Sequence, residues 1–461
     1  MTPKMLLIYP NRNEEIISYA DTGAITEPLG LEYLAAVAKE NFFDVRISDL
    51  RFPGITLEDT LKQFKADIVG ITGLSMHVSG ILEICKKIKE LLPACKILIG
   101  GHHATVMPED FFVDEVDAVI IGEGTRTLDL ILKSLLNDTF LKGISGIWLR
   151  DNGSFVCRGS QPVPSLDDQP MPARELNTEH RKHYFIGQMK PIALIRTSLG
   201  CPFRCSFCAL WKVTGGKYHT RQNDNIVKEL AEIQEPFIFL VDDEPFIYPE
   251  RMEKLAKRIQ EMNIHKQYFA YCRISTIIKY PHLLKAWRNI GLEGVFLGIE
   301  TIFSEELRAY KKGIALHEIE HGLKIARELG LEVSAGFIVN TNYTERNFRQ
   351  LTRFIEHHKI DTPLFSILTP LPGTEHLKSF DKITKLQSNG RHAWHSFDLQ
   401  HPVTRTVLAE DRFMAEYTKL RNTFASYENF SGITSKSADL QNSNTLQDIS
   451  LAICDQISKG A

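Results

Sequence analysis

Along the first 150 residues, short apolar runs alternate with stretches whose apolar positions return every three or four residues. Met5–Tyr9, Asp44–Ser48, Ile68–Thr72, Lys96–Ile99 and Ala118–Ile121 read as strands, while Leu31–Glu40, Leu57–Phe64 and Gly80–Leu92 carry helical periodicity. That alternation predicts a doubly wound, Rossmann-like parallel sheet over residues 1–150, with ligands beyond the carboxyl ends of its strands. A small extra strand is expected between Ile144 and Asp151, followed over 151–183 by a linker in which the prolines of Gln161–Arg174 exclude helix.

From Tyr184 the pattern repeats. Strands are expected at Ile192–Arg196, Phe237–Val241, Tyr268–Tyr271, Gly294–Gly298, Glu332–Ile338 and Leu364–Leu368. Helices are expected around Ile226–Gln234, Arg251–Glu261, Pro281–Ile290, Leu316–Leu329 and Glu345–His357. Six βα units over 184–378 place their strand ends on one face, where parallel barrels keep their chemistry. Beyond them, 379–461 reads as a small helical C-terminal region, with helices near Asp381–Gln387, Leu408–Tyr427 and Leu446–Ile457 in a tail rich in Ser, Asn and Gln.

Candidate chemistry collects at strand ends. Cys201, Cys205 and Cys208, at C-x3-C-x2-C spacing after the apolar run Ile192–Ile195, crowd three thiols into one loop. Thiolates are the soft ligands of iron–sulfur clusters, and three without a fourth point to a [4Fe–4S] cluster with one iron left open. Zinc, a disulfide or three unrelated thiols are the alternatives; zinc would want a fourth Cys or His at its usual spacing, and nothing between Cys208 and His219 supplies it. Asp242, Asp243, Glu244, Arg273, Glu300 and Asn340 follow successive strands, so carboxylates and a guanidinium ring the same face. In the first domain the strand ends are glycine-rich: Thr72-Gly-Leu74, Gly100-Gly101 and Gly122-Glu-Gly124. Glycine there lets backbone approach a bulky ligand, or simply makes a tight turn.

Bulk properties narrow the field. A length of 461 residues suggests about two to three domains. The net charge of −3 gives no global case for a nucleic-acid partner. No apolar run reaches the roughly 18 residues of a transmembrane helix, and eight cysteines in this length, five of them scattered, do not make a disulfide scaffold, so a cytoplasmic protein is expected.

The motif Arg196-Thr-Ser-Leu-Gly-Cys-Pro-Phe-Arg-Cys-Ser-Phe-Cys208, with Phe207 before the third cysteine, resembles the radical S-adenosylmethionine (radical SAM) superfamily. The resemblance implies a partial (β/α)6 barrel, a [4Fe–4S] cluster on Cys201, Cys205 and Cys208, and S-adenosylmethionine chelated to the open iron. Reductive cleavage of that cofactor yields methionine and a 5′-deoxyadenosyl radical. Phe207, Asp242, Glu244, Arg273 and Glu300 become the candidate S-adenosylmethionine contacts, an Arg fork suiting a carboxylate and a Glu the ribose hydroxyls.

The first domain is similar to the cobalamin-binding domain found upstream of one large radical SAM subclass, whose signature is D-x-H-x-x-G, S-x-L and G-G. Here those positions read Asp49-Leu-Arg-Phe-Pro-Gly54, Thr72-Gly-Leu74 and Gly100-Gly101. Thr72, Gly73, Leu74, Gly100, Gly101, Gly122, Glu123 and Gly124 are the implied cobalamin contacts. Arg51 stands where the cobalt-ligating His would be, and a guanidinium cannot coordinate cobalt. Within the subclass the resemblance is to the hopanoid C-3 methylase group, through the cysteine motif, Trp211, Gly215-Gly-Lys-Tyr218, Leu297-Gly-Ile-Glu300 and Thr369-Pro-Leu-Pro-Gly-Thr374. It implies methylation of an unactivated carbon of a small hydrophobic, hopanoid-like substrate. It also implies an electron donor such as flavodoxin or ferredoxin, and is compatible with a peripheral membrane contact. A radical cyclisation, C–C coupling or oxidation is the alternative among enzymes, and a non-catalytic cobalamin or cluster sensor the alternative outside them.

Overall fold

The computed structural model of the chain describes residues 2–11, 24–136, 143–379, 383–386 and 392–424. Its first sheet contains β1 (Lys4–Tyr9), β2 (Asp44–Asp49), β3 (Ile68–Thr72), β4 (Lys96–Gly100), β5 (Ala118–Ile120), β6 (Ile147–Asp151) and β7 (Ser154–Cys157), in the order β2-β1-β3-β4-β5-β6-β7. The first five are parallel and the last two antiparallel, so the extra strand expected near 144–151 is one arm of an edge hairpin. The runs Met5–Ile8 and Ile68–Ile71 are buried throughout because helices cover both faces of the sheet. Helix α1 is Leu29–Glu40, α2 Leu57–Phe64, α3 Val78–Leu91, α4 His102–Val106 and α5 Gly124–Leu136. In α3 the buried residues Val78, Ile81, Cys85 and Ile88 fall three or four apart, the spacing that turns one face to the sheet. Thr56 caps α2 through the Asp59 N–H, and Lys65, at φ 49°, ends it.

Strand order reverses between β1 and β3, which makes that crevice the switch point where doubly wound sheets bind ligands. The second sheet, β8 (Ile192–Ile195), β9 (Phe237–Leu240), β10 (Gln267–Cys272), β11 (Leu292–Glu300), β12 (Glu332–Val339) and β13 (Thr362–Ile367), runs parallel in sequence order. Six strands so ordered form the expected open barrel. Outward residues such as Tyr268, Leu292 and Val295 meet Leu283, Leu284 and Trp287 of the helix Pro281–Asn289 in the largest core. At about 1.5–3 kcal/mol for each large apolar side chain fully buried, this shell dominates the stability of the second domain.

The two domains share a third core. Leu29 and Tyr33 of α1 pack with Tyr184 and with Leu194, Phe239 and Phe269 of the barrel strands, so the first domain helps fill the barrel. Around them lies a buried polar set: Glu27 accepts from the Leu194 N–H and Arg181, Arg174 bridges to Glu229, and Asn177 donates to Glu32. Burial and the neighbouring Glu27 push the Glu32 carboxyl up to about 8.

The C-terminal region departs from expectation in one place. Of the helix expected over Asp381–Gln387, the described part, 383–386, instead makes β-bridges: Ile383 to Thr404 and Leu386 to His392. The Thr384 N–H donates to the Val403 carbonyl, so pairing with 392–404 supplies the backbone partners that a helix would have supplied. The helix expected over Leu408–Tyr427 is observed at Glu410–Thr423, and Leu446–Ile457 lies outside the described residues. Between them Trp394 packs on His103 of α4, with ring centroids 5.0 Å apart, which fastens this region to the first domain.

Candidate functional site

The cysteine loop leaves β8 and is tied down from beneath. Asp242 Oδ1 accepts from the Thr197 N–H at 2.9 Å, the Ser198 hydroxyl at 2.6 Å and the Ser198 N–H, and Asp243 accepts from the Gly200 N–H at 2.8 Å. Gly200 has φ +96°, and a Cβ there would lie 2.1 Å from the Lys217 carbonyl, so only glycine fits the turn into Cys201. Ser206 holds the middle of the loop: its N–H donates to the Tyr310 carbonyl, its hydroxyl to the Ala309 carbonyl, and its own carbonyl accepts from the Glu375 N–H.

Cys205 is buried and Cys201 and Cys208 are half-buried, all with free thiols. Burial pushes the Cys208 thiol up to about 12 and raises Cys201, so metal binding must displace protons from them. Among the described residues no three His, Cys, Asp or Glu side chains converge closely enough to hold one ion. A zinc ion would need that convergence. A four-iron cluster does not, because each thiolate binds a different iron, so this donor set fits a cluster.

Around the loop stand the polar strand ends. Glu244 is 1% exposed, accepts from the Thr276 hydroxyl at 3.3 Å, and is pushed by burial up to about 8 against the pull of Arg273 and Lys312. Asp242, equally buried, rises to about 6, and its Oδ2 has no partner among the described residues. The Arg273 guanidinium lies 3.7 Å from the Phe203 ring centroid and donates to the Lys312 carbonyl at 3.0 Å. Glu300, at φ 69° beyond a bulge in β11, accepts from Lys312 Nζ at 2.8 Å. Gly298 makes room for that pair, since a Cβ there would lie 2.3 Å from Glu300 Oε1 and 2.9 Å from Lys312 Nζ. Phe207 meets Tyr310 edge to face at 5.5 Å and lies 5.9 Å from Lys312 Nζ.

The structure therefore gathers Phe207, Glu244, Arg273 and Glu300 beside the cysteines, and turns Asp242 toward the loop it supports. Sequence reasoning missed Lys312, which is buried among them. Its only signal was the Lys311-Lys312-Gly313 turn after a short helix, and nothing in that spacing marks a site.

At the first sheet the strand ends are mostly satisfied within the protein. A Cβ at Gly73 would lie 2.5 Å from Ile81, and one at Gly101 (φ +99°) 2.6 Å from Thr72 Oγ1, so these two glycines serve close packing inside the fold. Gly100 makes only ordinary contact with Ile120 and Gly124 with Leu34, while Gly122 has open space around it and Leu74 is 39% exposed at the switch point. The exposed Leu74 and the open space at Gly122, on strand ends of the same sheet, offer apolar contact and room, which fits a large, mostly neutral group such as a corrinoid.

Arg51 is paired with Asp49 at 2.6 Å and stacked 4.0 Å from the Tyr9 ring centroid. Buried His103 bonds Ser75 and Asp110 at 2.9 Å each. Neither is free to serve as a metal ligand as placed. Glu123 accepts from Thr125, Thr125 bonds Gln169, and Gln169 bonds Arg196 at the end of β8, a relay that joins the two sets of strand ends. Helix α4 packs on α6 (Leu210–Val213), just past the third cysteine, so the two faces meet.

Two family models match the chain: the B12 binding domain over residues 17–132 and the Radical SAM superfamily over 195–355. The chain is 30% identical over 406 residues to the hopanoid C-3 methylase of Methylococcus capsulatus, an alignment covering 85% of this chain and 75% of that protein. It is 28% identical over 382 residues to an uncharacterized methyltransferase of Pyrococcus horikoshii, covering 80% and 82%. In fold it resembles the radical S-adenosylmethionine methyltransferase TsrM of Kitasatospora setae, solved with cobalamin and a [4Fe-4S] cluster bound. The TM-score is 0.66 at 18% identity, with 90% of this chain and 85% of that one covered.

Proposed function

The chain belongs to the cobalamin-dependent radical SAM methyltransferases, and from that premise we propose that it methylates an unactivated carbon of a small, hydrophobic, polycyclic substrate of hopanoid type. When bound, S-adenosylmethionine on a [4Fe–4S] cluster supplies hydrogen-atom abstraction and cobalamin supplies methyl transfer, chemistry suited to carbon with no lone pair to attack a methyl donor. The observation that carries the reading is the mouth of the barrel: three unpaired thiols on a loop held by Asp242 and Asp243, flanked by Glu244, Arg273 and the Glu300–Lys312 pair.

Each group has a task there. Cys201, Cys205 and Cys208 hold the cluster. Glu244 would accept an N–H of the cofactor's amino group. Arg273 takes the methionine carboxylate and Glu300 the ribose hydroxyls as acceptor. Phe207, packed on Tyr310, walls the adenosine side. On the first sheet, Leu74, Gly100, Gly122, Glu123 and Gly124 would line the corrinoid side, while Gly73 and Gly101 let the Thr72 and Gly100 strand ends pack closely. Arg51 occupies the signature's histidine position as an ion pair with Asp49, so no histidine of this motif reaches cobalt. The substrate lies between the two faces. The apolar side chains Leu74 and Phe203 support a hydrophobic occupant, as does the name of the Methylococcus relative.

Anaerobically reconstituted protein should hold about four iron and four sulfide per chain, and Cys205→Ala should cut S-adenosylmethionine cleavage to background. Full cleavage by that variant would sink the cluster assignment. Expression in a hopanoid-producing host lacking its own methylase, with mass spectrometry of the lipids, tests the substrate: an added A-ring methyl is expected, and an unchanged profile despite cofactor turnover would remove the hopanoid claim.

A further inference from the structure

Residues 180–223 contain eight lysines and arginines and no aspartate or glutamate, although acids are 57 of the 461 residues and about five would fall in a stretch of that length. Three of the eight are engaged inside the fold: Arg181 with Glu27 and Glu235, Arg196 with Gln169, and Arg221 with Glu229. Arg204, Lys212 and Lys217 are exposed and enter none of the ion pairs among the described residues.

They surround one ring beside the cysteine loop. The Arg204 guanidinium lies 5.7 Å and Lys212 Nζ 5.3 Å from the Trp211 ring centroid, and a Cβ at Gly216, next to Lys217, would lie 4.0 Å from Arg204. Lys311 borders the same patch, since it bridges to Glu375 at 2.7 Å and Lys212 acts on the same carboxylate. Arg204 sits between Cys201 and Cys205, and Lys212 four residues after Cys208. Of the five cations in this acid-free stretch that are not engaged inside the fold, three are therefore displayed around the cysteine loop.

We propose that Arg204, Lys212 and Lys217, around Trp211, form the docking surface for an acidic one-electron carrier protein that reduces the cluster. The inference rests on the radical SAM reading above, because the cluster must receive one electron for each cleavage. The carrier gives up that electron and leaves oxidised by one; no bond or proton changes at the patch. The patch sets Arg204, Lys212, Lys217 and Lys311 against the carboxylate of Glu375, an excess of cations that complements an acidic protein surface, and a carrier protein brings the electron that nucleic acid and lipid do not. An aromatic ring framed by cations is also the composition of interface anchors.

Oxidised flavodoxin serves as the probe, its binding to the full chain measured by calorimetry at about 50 mM and about 500 mM salt, where screening lengths differ severalfold. Binding at low salt is expected, weakened about tenfold or more by high salt and equally by R204E/K212E/K217E. With reduced flavodoxin as donor the same variant should lose S-adenosylmethionine cleavage, while reduced methyl viologen, a cation, should still drive it. Should the triple variant fold poorly, K212E/K217E and the wild-type salt series ask the same question. Salt-independent binding, equal binding by the variants, or patch-dependent capture of anionic vesicles or single-stranded DNA in place of flavodoxin would overturn the proposal. Failure of the radical SAM reading would show separately, as absence of cleavage with methyl viologen in the wild type.

Discussion

The two sets of strand ends that face each other are built on opposite plans. At the barrel, charge is concentrated and left incomplete: Asp242 Oδ2 and Arg273 Nε are buried without a partner among the described residues, and burial pushes Glu244 up to about 8. At the first sheet, charge is closed internally, with Arg51 on Asp49 and His103 between Ser75 and Asp110, and what remains open is glycine and an exposed leucine. A site with unspent polar capacity grips a charged ligand by direction. One with satisfied polar groups and open space holds a bulky neutral ligand by shape. The first plan suits a zwitterionic amino-acid cofactor and the second a corrin ring, and each fails differently when disturbed.

The largest disturbance falls on the charged face. Lys312→Met removes the partner of a carboxylate that is itself largely buried, and breaking such a pair costs about 3–5 kcal/mol. Part of that loss should appear as lower stability to urea, and part as roughly tenfold weaker S-adenosylmethionine binding, equivalent to about 1.4 kcal/mol. Lys312→Arg should recover most of it. Unchanged cofactor affinity in Lys312→Met would mean that the lysine acts on folding alone.

Asp242→Asn keeps the shape and removes the charge that three donors share. With hydrogen bonds to a charged acceptor worth about 1.5–3 kcal/mol each and the amide oxygen retaining part of that, a loss of about 2–3 kcal/mol is expected. The cysteine loop should loosen first, which iron content after gel filtration would detect. Full iron retention would break the link between this carboxylate and the loop.

A third and smaller effect is a pH slope. A carboxyl raised from 4.5 to about 8 by folding binds a proton in the folded state that the unfolded chain has lost between those values. Stability of the cofactor-free protein must then fall as pH rises through that window. Asp242, raised from 3.8 to about 6, adds a slope of the same sign at lower pH. Glu244→Gln should flatten the decline between pH 5 and pH 8 in urea unfolding. A wild-type curve that rises over this range would contradict the buried, protonated Glu244.

Legibility in the sequence followed the same division. Short continuous apolar runs and period-3.6 patterns located both sheets, because burial of strands and of one helix face is a local property of the chain. The cysteine motif was legible because its chemistry is contained within eight residues. Lys312 was not: its meaning comes from Gly298 and Glu300 on a neighbouring strand end, a contact that spacing does not encode. The glycines left two readings open. Gly73 and Gly101 read as room for a ligand or as tight turns; in the structure they make room for Ile81 and Thr72, and the chain offers no local sign that separates the uses. The expected helix at Asp381–Gln387 failed for a similar reason, since pairing of Ile383 and Leu386 with residues farther along the chain overrode local propensity.

The account turns on whether the barrel mouth presents a cluster with an iron open to S-adenosylmethionine. Low-temperature electron paramagnetic resonance of the reduced, reconstituted protein, recorded before and after addition of S-adenosylmethionine, tests this directly. A [4Fe–4S]⁺ signal is expected whose g-values shift on addition, with the same shift in Lys312→Met needing roughly tenfold more cofactor. A cluster signal that S-adenosylmethionine leaves unchanged in the wild type, or a reconstituted protein with no cluster signal at all, would contradict it.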